Sequence, residues 1–151
     1  MGKVNDVEVS RESIFWLGGQ RKTGFIVDIQ QLKGLIPLSV CADEDNTEFT
    51  ITTAQGDFVF MHSQDCCEYV RIEDITGDIQ DLVGHPLLLA EEVSSENEPA
   101  PSARAESYTW TFYKFATIKG YVDIRWLGES NGYYSESVDL VFIPNPDYKS
   151  V

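Results

Sequence analysis

The sequence is poor in basic residues, and this limits the classes of partner that the protein can bind. It contains 11 Lys and Arg residues against 25 Asp and Glu residues, which gives a formal net charge of -14. Binding of duplex nucleic acid through its phosphates needs a basic face, so the charge argues against that class. An acidic surface is consistent with a decoy that occupies a nucleic-acid-binding protein. It is equally consistent with a protein whose charge only keeps it soluble.

Segments for membrane insertion and secretion are also missing. No apolar run approaches the ~18 residues of a membrane-spanning helix, and residues 1–13 lack the apolar segment of a secretion signal. We therefore expect a cytoplasmic protein with no membrane partner. A chain of 151 residues is long enough for one core, so we expect a single compact domain over residues 1–151.

Familiar catalytic motifs are absent from the sequence. It has no glycine-rich phosphate loop, no H-E-x-x-H and no G-x-S-x-G. We therefore expect no enzyme, no catalytic residue and no cofactor. A pair of carboxylates assembled from distant strands would escape a search for motifs, so an enzyme acting on a small molecule is kept as the least favoured alternative.

Three cysteines are present, and two of them are adjacent in the stretch "HSQDCCE" at residues 62–68. A zinc site needs about four nitrogen or sulfur ligands, and adjacent cysteines in an extended segment point to opposite faces. We therefore predict no metal. A disulfide between neighbours is strained, and the expected compartment is reducing. A catalytic cysteine would need His62 or His85 as its base, and no supporting motif accompanies either residue.

The motif Asp65-Cys66-Cys67-Glu68 is therefore interpreted as scaffold. Cysteine is among the most frequently buried residue types, so we expect one of the two to pack inward. We expect Asp65 and Glu68 to accept hydrogen bonds from backbone amides at a bend between strands.

Alternating apolar residues predict strands in the first two thirds of the chain. Residues 48–53 and 57–62 form a predicted hairpin, and residues 23–30 and 86–93 are further predicted strands. Apolar residues at helical spacing, followed by a glycine and a proline, predict one short helix near residues 77–84. Residues 94–106 hold no apolar side chain larger than alanine and predict a mobile surface loop.

The last third predicts a C-terminal three-stranded meander over residues 107–118, 121–128 and 135–143. A first turn at Lys119-Gly120 would place Phe115 opposite Ile124 and Lys114 opposite Arg125. A second, three-residue loop at 130–132, with Gly132 left-handed, keeps the apolar residues on one face. The expected fold class is therefore α+β, mostly antiparallel β.

The predicted meander has two different faces. The core face is expected to hold Tyr113, Phe115, Val122, Ile124, Trp126, Val138 and Leu140. The other face is half aromatic and half charged, which is unusual for a surface that only meets water. This face could receive another element or offer a binding surface, and it makes a homo-oligomer a reasonable expectation.

Two blocks of the chain, residues 62–92 and 109–140, resemble an uncharacterised family of small proteins found largely in phages and prophage regions. The blocks include the DCCE motif and the stretches "TFYKFATIKGYVDIRW" and "GESNGYYSE". The resemblance implies a phage setting, and so the cytoplasm of a host cell, together with a compact β-rich fold. It implies no activity and no role for any residue.

The leading hypothesis is a small non-catalytic binding protein that acts by occupancy, for example as a counter-defence factor that sequesters a small anionic or nucleotide-like ligand. Aromatic rings would stack on a base and two cations would bind phosphate. The candidate ligand-binding residues are Trp110, Lys114, Tyr121, Arg125, Asn131, Tyr133 and Tyr134. The opposing interpretation is that Asp123 and Asp139 neutralise Arg125 while the aromatic residues pack the sheet.

An alternative hypothesis is an acidic inhibitor that mimics nucleic acid and binds a basic host protein. It predicts that carboxylates cluster on one face and that binding depends strongly on salt.

Overall fold

The computed structural model describes residues 2–95 and 106–150, which form an antiparallel β-sandwich. Its regular elements in this part of the chain are twelve strands and two 3-10 helices. The strands are β1 (Gly2–Val4), β2 (Val7–Val9), β3 (Glu12–Leu17), β4 (Gln20–Ile26), β5 (Ser39–Ala42), β6 (Phe49–Thr52), β7 (Gly56–Met61), β8 (Tyr69–Thr76), β9 (Leu89–Ser95), β10 (Ser107–Thr117), β11 (Gly120–Ser130) and β12 (Asp139–Pro144). The 3-10 helices are Ile29–Leu32 and Ile79–Leu82.

The strands form two sheets and a separate hairpin of β1 and β2. One sheet has six strands in the order β3-β4-β12-β7-β6-β5, and the other has four in the order β8-β11-β10-β9. The sheets pack face to face. The centre of the Phe60 ring lies 4.5 Å from the centre of the Tyr113 ring and 5.8 Å from the centre of the Phe115 ring. No helix in the described residues is long and apolar enough to cross a membrane.

The strand-rich, antiparallel character expected from the sequence is confirmed, and the helical part of the α+β expectation is not. The short helix near 77–84 is only a single 3-10 turn, Ile79–Leu82. The hairpin of residues 48–53 and 57–62 is correct, since β6 pairs with β7 with Phe49 opposite Phe60. The seven residues assigned to the core face of the meander are all buried.

Two parts of the chain, residues 20–61 and 69–130, follow one plan: a strand, a 3-10 helix, and then three strands. We call these two parts the two halves; β1, β2, β3 and β12 lie outside the plan. The motif D-I-Q-x-L-x-G occurs at residues 28–34 and again at 78–84. In both copies the aspartate side chain caps the 3-10 helix by accepting a hydrogen bond from the backbone N–H two residues later. Both motifs end at a glycine with positive φ, 88° in the first copy and 86° in the second. The fold is therefore built from two related halves.

The two copies of this motif also contact each other reciprocally. The N–H of Gly34 donates to the carbonyl of Leu87 at 2.8 Å, and the N–H of Gly84 donates to the carbonyl of Pro37 at 2.8 Å. Leu87 and Pro37 occupy equivalent positions after their respective motifs. Such exchange between equivalent positions is the pattern of a two-fold related contact.

The halves differ in the place of β12. In the four-stranded sheet β8 pairs directly with β11, whereas in the six-stranded sheet β12 lies between the equivalent strands β4 and β7. β12 pairs with β7 along its whole length but with β4 only at Val141 and Phe142.

The predicted three-stranded meander is therefore wrong in its third strand. β12 does not pair with β11, because β8 occupies that edge of β11. Residues 131–138 instead cross from one sheet to the other, and we call them the crossing segment. Gly132 has the expected positive φ of 91°, in this crossing and not in a hairpin bulge. Pairing between strands that are distant in sequence leaves no local pattern in the residues. The sequence alone therefore predicts a meander, in which each strand pairs with the next one along the chain.

The predicted register of the first turn is also wrong. The turn is Ile118-Lys119, and Thr117 pairs with Gly120, which is the first residue of β11. Phe115 consequently lies opposite Val122. A shift of two residues preserves which side chains face the core, which is why the burial was correct although the pairing was not. Most of the loop expected at 94–106 lies outside the described residues, while Ser94 and Ser95 belong to β9.

The hairpin of β3 and β4 forms one edge of the six-stranded sheet and contributes to a second apolar cluster on the sheet's outer surface. Phe15 and Leu17 pack there against Val59, Met61 and Val141. A glycine allows this close approach: a Cβ atom at position 24 would lie 2.5 Å from Cδ1 of Ile143 and 2.8 Å from the carbonyl oxygen of Phe142.

We expect Gly24→Ala to destabilise the protein by about 1–3 kcal/mol, because the added methyl group overpacks the contact with β12. Gly2→Ala is the matched control, since a Cβ atom there meets nothing within 4 Å. Urea unfolding of both variants measures the difference. Equal midpoints for Gly24→Ala and the wild type would show that the hairpin does not lie against β12.

Candidate functional site

The carboxylate of Glu68 is the centre of the DCCE motif. The residue is only 3% exposed. Its oxygens accept hydrogen bonds from the backbone N–H groups of Asp65 and Cys66 at 2.9 and 2.8 Å and from the side-chain amide of Gln64 at 3.1 Å. The fourth contact is with Nε2 of His62 at 2.8 Å. The loop between β7 and β8 therefore folds around one charged acceptor.

The surroundings of Glu68 favour its ionised form. Burial by itself would raise the pKa of this carboxyl, but the hydrogen bonds from His62 and from the backbone N–H groups outweigh it and lower the pKa from 4.5 to about 2.

His62 connects this loop to the crossing segment. Its Nδ1 lies 2.7 Å from the carbonyl oxygen of Ser137, while Nε2 faces Glu68. Both ring nitrogens therefore face an acceptor, one a carbonyl oxygen and the other a carboxylate oxygen. Burial raises the pKa of the nearby Asp139, and the His62 ring acts in the opposite direction. The motif thus fixes the place where β12 begins.

The two cysteines of the motif are exposed and bonded to each other in a disulfide. Both findings differ from the expectation that one cysteine packs inward and that no disulfide forms. The physical reason is that residues 66–67 form a bend, so the alternation of an extended strand does not apply. The carboxylate of Asp65 takes no part in the hydrogen bonds around Glu68, so only one of the two acids expected to accept from backbone amides does so. In residues 2–95 and 106–150 no group of three or more His, Cys, Asp or Glu side chains could hold a metal ion.

Four of the candidate ligand-binding residues, Trp110, Lys114, Tyr121 and Arg125, lie on the outer face of the four-stranded sheet. Tyr121 is 75% exposed, whereas Trp110 is buried. Lys114 lies opposite Asp123 on β11 and opposite Glu91 on β9. These side chains line none of the clefts described below.

The prediction that Lys114 lies opposite Arg125 is wrong, because the pairing of β10 with β11 is shifted by two residues from the predicted register. Arg125 lies opposite Phe112 on one side and Asp74 on the other. Its guanidinium carbon lies 4.9 Å from the centre of the Trp110 ring, a cation–π distance. Asp139, expected beside Arg125, belongs to the other sheet.

Charge on this outer face is mixed, and acids outnumber bases. Arg71 on β8 lies 4.3 Å from the ring centre of Tyr69 and forms ion pairs with Glu73 and Glu129 at 3.2 and 2.6 Å. We define the outer face by its charged and aromatic residues, which are Tyr69, Arg71, Glu73, Asp74, Glu91, Trp110, Phe112, Lys114, Tyr121, Asp123, Arg125 and Glu129.

The other three candidates, Asn131, Tyr133 and Tyr134, lie elsewhere, at the start of the crossing segment. The Oδ1 atom of Asn131 accepts a hydrogen bond from the N–H of Tyr133 at 2.9 Å. The rings of Tyr133 and Tyr134 meet edge to face, with their centres 5.0 Å apart. Tyr133 is 83% exposed. The predicted ligand site is therefore divided between two places on the molecule.

Tyr134 lines a polar cleft between the crossing segment and strands β9 and β10. The cleft has a volume of about 280 Å³, and two glutamates, Glu92 and Glu136, face it. We call it the hydroxyl cleft because its lining includes Ser94, Ser107, Thr109, Thr111, Ser135 and Ser137. The sequence interpretation missed it, although Ser107, Thr109 and Thr111 alternate along β10 as a polar continuation of the apolar face.

The position of Glu136 depends on a glycine. A Cβ atom at Gly128 would lie 2.5 Å from the carbonyl oxygen of Glu136, so only glycine lets the crossing segment lie against β11 here. The Glu136 carboxylate then accepts hydrogen bonds from the hydroxyls of Thr109, at 2.8 Å, and Ser130.

These features define the chain as an antiparallel β-sandwich of two related halves. Residues 21–140 match the family described as a domain of unknown function (DUF7448), and the chain belongs to that family. A search of curated proteins and a search of solved structures each returned no match.

We expect acid to remove the stabilisation that Glu68 provides. The fold lowers the pKa of this carboxyl from 4.5 to about 2, so its contribution is complete above pH 4.5 and is lost as the pH falls towards 2. The stability difference between the wild type and Glu68→Gln should therefore shrink over that interval. Melting curves across this pH range measure it, with Asp65→Asn as the control. A difference that stays constant with pH would contradict the prediction.

We expect replacement of both Cys66 and Cys67 by serine to cost less than about 1 kcal/mol, because both side chains are exposed and the bond closes almost no loop. Urea unfolding of the double variant under oxidising conditions is the measurement. A loss of more than about 3 kcal/mol, the range of a large core defect, would show that the pair supports the core.

Proposed function

We propose that the protein is a small non-catalytic binding protein that acts by occupying a basic partner protein through the outer face of its four-stranded sheet. The observation that carries the proposal is the composition of this face. Exposed Tyr121 and Tyr69, together with arginines over aromatic rings, are the residue types that dominate binding energy at protein interfaces.

Charge decides the kind of partner. The outer face carries the carboxylates of Glu73, Asp74, Glu91, Asp123 and Glu129 against the cations of Arg71, Lys114 and Arg125. The whole chain adds a net charge of -14. A field of this sign attracts a basic protein and speeds its encounter.

The structure gives less support to sequestration of a small anion by the same residues. Small-molecule sites are concave, whereas Lys114 and Arg125 lie on a sheet face. Each cation has carboxylates as cross-strand neighbours: Asp123 and Glu91 beside Lys114, and Asp74 beside Arg125. An anion would have to compete with these acids.

The resemblance of residues 62–92 and 109–140 to phage and prophage proteins supports a more specific role. Within the proposal, the protein is made by a phage in its host cell and occupies a host protein, as a counter-defence factor would. Mimicry of nucleic acid would be the means of recognition, because a basic nucleic-acid-binding protein presents the complementary charge.

We expect the immobilised protein to retain a basic protein from an extract of host cells and to release it as the salt concentration rises from about 0.1 M to about 0.5 M. The double variant Tyr121→Ala, Asp123→Lys should bind this purified partner at least about tenfold more weakly. The matched control is Trp16→Ala, Asp65→Lys, which removes one exposed aromatic ring and reverses one exposed acid away from the outer face. Calorimetric titration of the three proteins with the partner gives the affinities.

Equal weakening by both double variants would contradict the outer face as the binding surface. Lys114→Ala separates the two versions of the hypothesis. This cation lies between Asp123 and Glu91 and is not one of the arginines over aromatic rings, so a basic partner should bind the variant with unchanged affinity, while a small anionic ligand should bind it more weakly. Loss of binding in a stable Lys114→Ala protein would therefore favour the anionic ligand.

A further inference from the structure

We propose that the hydroxyl cleft binds an aliphatic polyamine, a ligand with at least two ammonium groups. This site lies on the opposite side of β10 from the outer face and is independent of the proposed protein partner. Its strands continue the core face: on β10, buried Phe115 and Tyr113 are followed at alternate positions by Thr111 and Thr109. The face becomes polar where the crossing segment replaces the second sheet.

One side chain in the lining, that of Thr111, has a hydroxyl group that no described residue satisfies. Thr111 lines the cleft and is only 2% exposed, and its side chain makes no hydrogen bond within the described residues. Buried polar groups are nearly always hydrogen-bonded, so an unpaired hydroxyl at a cleft is satisfied by a ligand or by solvent.

The lining determines the charge of that ligand. It holds the carboxylates of Glu92 and Glu136, with no Lys, Arg or His among the described residues that form it. An anion would therefore meet acids alone, whereas an ammonium group donates three hydrogen bonds and accepts none. Tyr134 lies in the same wall, and aromatic rings attract cations.

Both carboxylates are already held in place. Glu136 accepts from the hydroxyls of Thr109 and Ser130, and Glu92 accepts from the hydroxyl of buried Tyr113 at 3.1 Å. Burial and the neighbouring Glu92 raise the pKa of Tyr113, so its hydroxyl stays a donor to Glu92. Acceptors fixed in this way need little ordering when a ligand arrives.

An adjoining cleft supplies the second position. It has a volume of about 220 Å³, shares Glu92 and Val138 with the hydroxyl cleft, and adds the carboxylates of Asp28 and Asp139. One ammonium group would lie in the hydroxyl cleft and a second beside Asp28 and Asp139, with the methylene chain against Val138. Two small acidic clefts with an apolar residue between them match a diamine better than a compact sugar.

Calorimetric titration with 1,4-diaminobutane and spermidine at about 0.15 M salt, where surface attraction is screened, tests the proposal on the intact protein. Butylamine and 1,4-butanediol are the comparison ligands, since one keeps a single ammonium group and the other has none. We expect the diamine to bind at least about tenfold more tightly than butylamine and the diol not to bind, as expected for charge-assisted hydrogen bonds. Equal binding of the diol, or no binding of either polyamine, would overturn the proposal.

Variants locate the site with a matched control. Glu92→Gln and Glu136→Gln should each weaken binding of 1,4-diaminobutane at least about tenfold. Glu91→Gln, the neighbouring acid on the outer face, should leave it unchanged within about twofold. Thr111→Val keeps the shape and removes the hydroxyl, so it should fold normally and bind more weakly. Equal weakening by Glu91→Gln and Glu92→Gln would reduce the effect to general attraction of cations and overturn the assignment.

Discussion

The reciprocal hydrogen bonds between the two D-I-Q-x-L-x-G motifs are the contact on which the arrangement of the sandwich depends. Each motif presents a glycine N–H, at Gly34 and Gly84, to a carbonyl of the other copy. Leu32 and Leu82, the leucines of the two motifs, are both fully buried beside these bonds. Each half donates one backbone hydrogen bond to the other and accepts one in return. Either half alone would therefore leave one glycine N–H and one carbonyl without this partner. The relative placement of the two sheets follows from this contact.

A second constraint acts at the other end of the chain, where the crossing segment leaves one sheet for the other. His62 holds it at the carbonyl of Ser137, and Gly128 lets Glu136 lie against β11. The DCCE motif therefore contributes to the binding surfaces indirectly. Its buried carboxylate orients the histidine, and the histidine holds the segment that forms one wall of the hydroxyl cleft.

Local patterns in the sequence were sufficient for the hairpin of β6 and β7, for the existence of β4, β9, β10, β11 and β12, and for the burial of the core face. They did not predict β1, β2, β3, β5 or β8. They were not sufficient for the partners of β12, because its pairing with β4 and β7 joins residues far apart in the chain. The repeated motif at 28–34 and 78–84 was the available signal for the two related halves. The ligand set was divided because Asn131, Tyr133 and Tyr134 lie in the crossing segment, which leaves the four-stranded sheet. The pairing of Lys114 and Arg125 was wrong because the turn lies one residue earlier than its glycine suggests.

The insertion of β12 between β4 and β7 has a consequence for the order in which the protein can fold during translation. The first half is synthesised before β12 exists, so β4 and β7 leave the ribosome with facing edges unpaired. Exposed strand edges are sites of mispairing with other chains. The second half has no such interval, since β11 meets β8 as soon as it is made. Chaperone dependence during synthesis should therefore arise from the N-terminal half, although both halves share one plan.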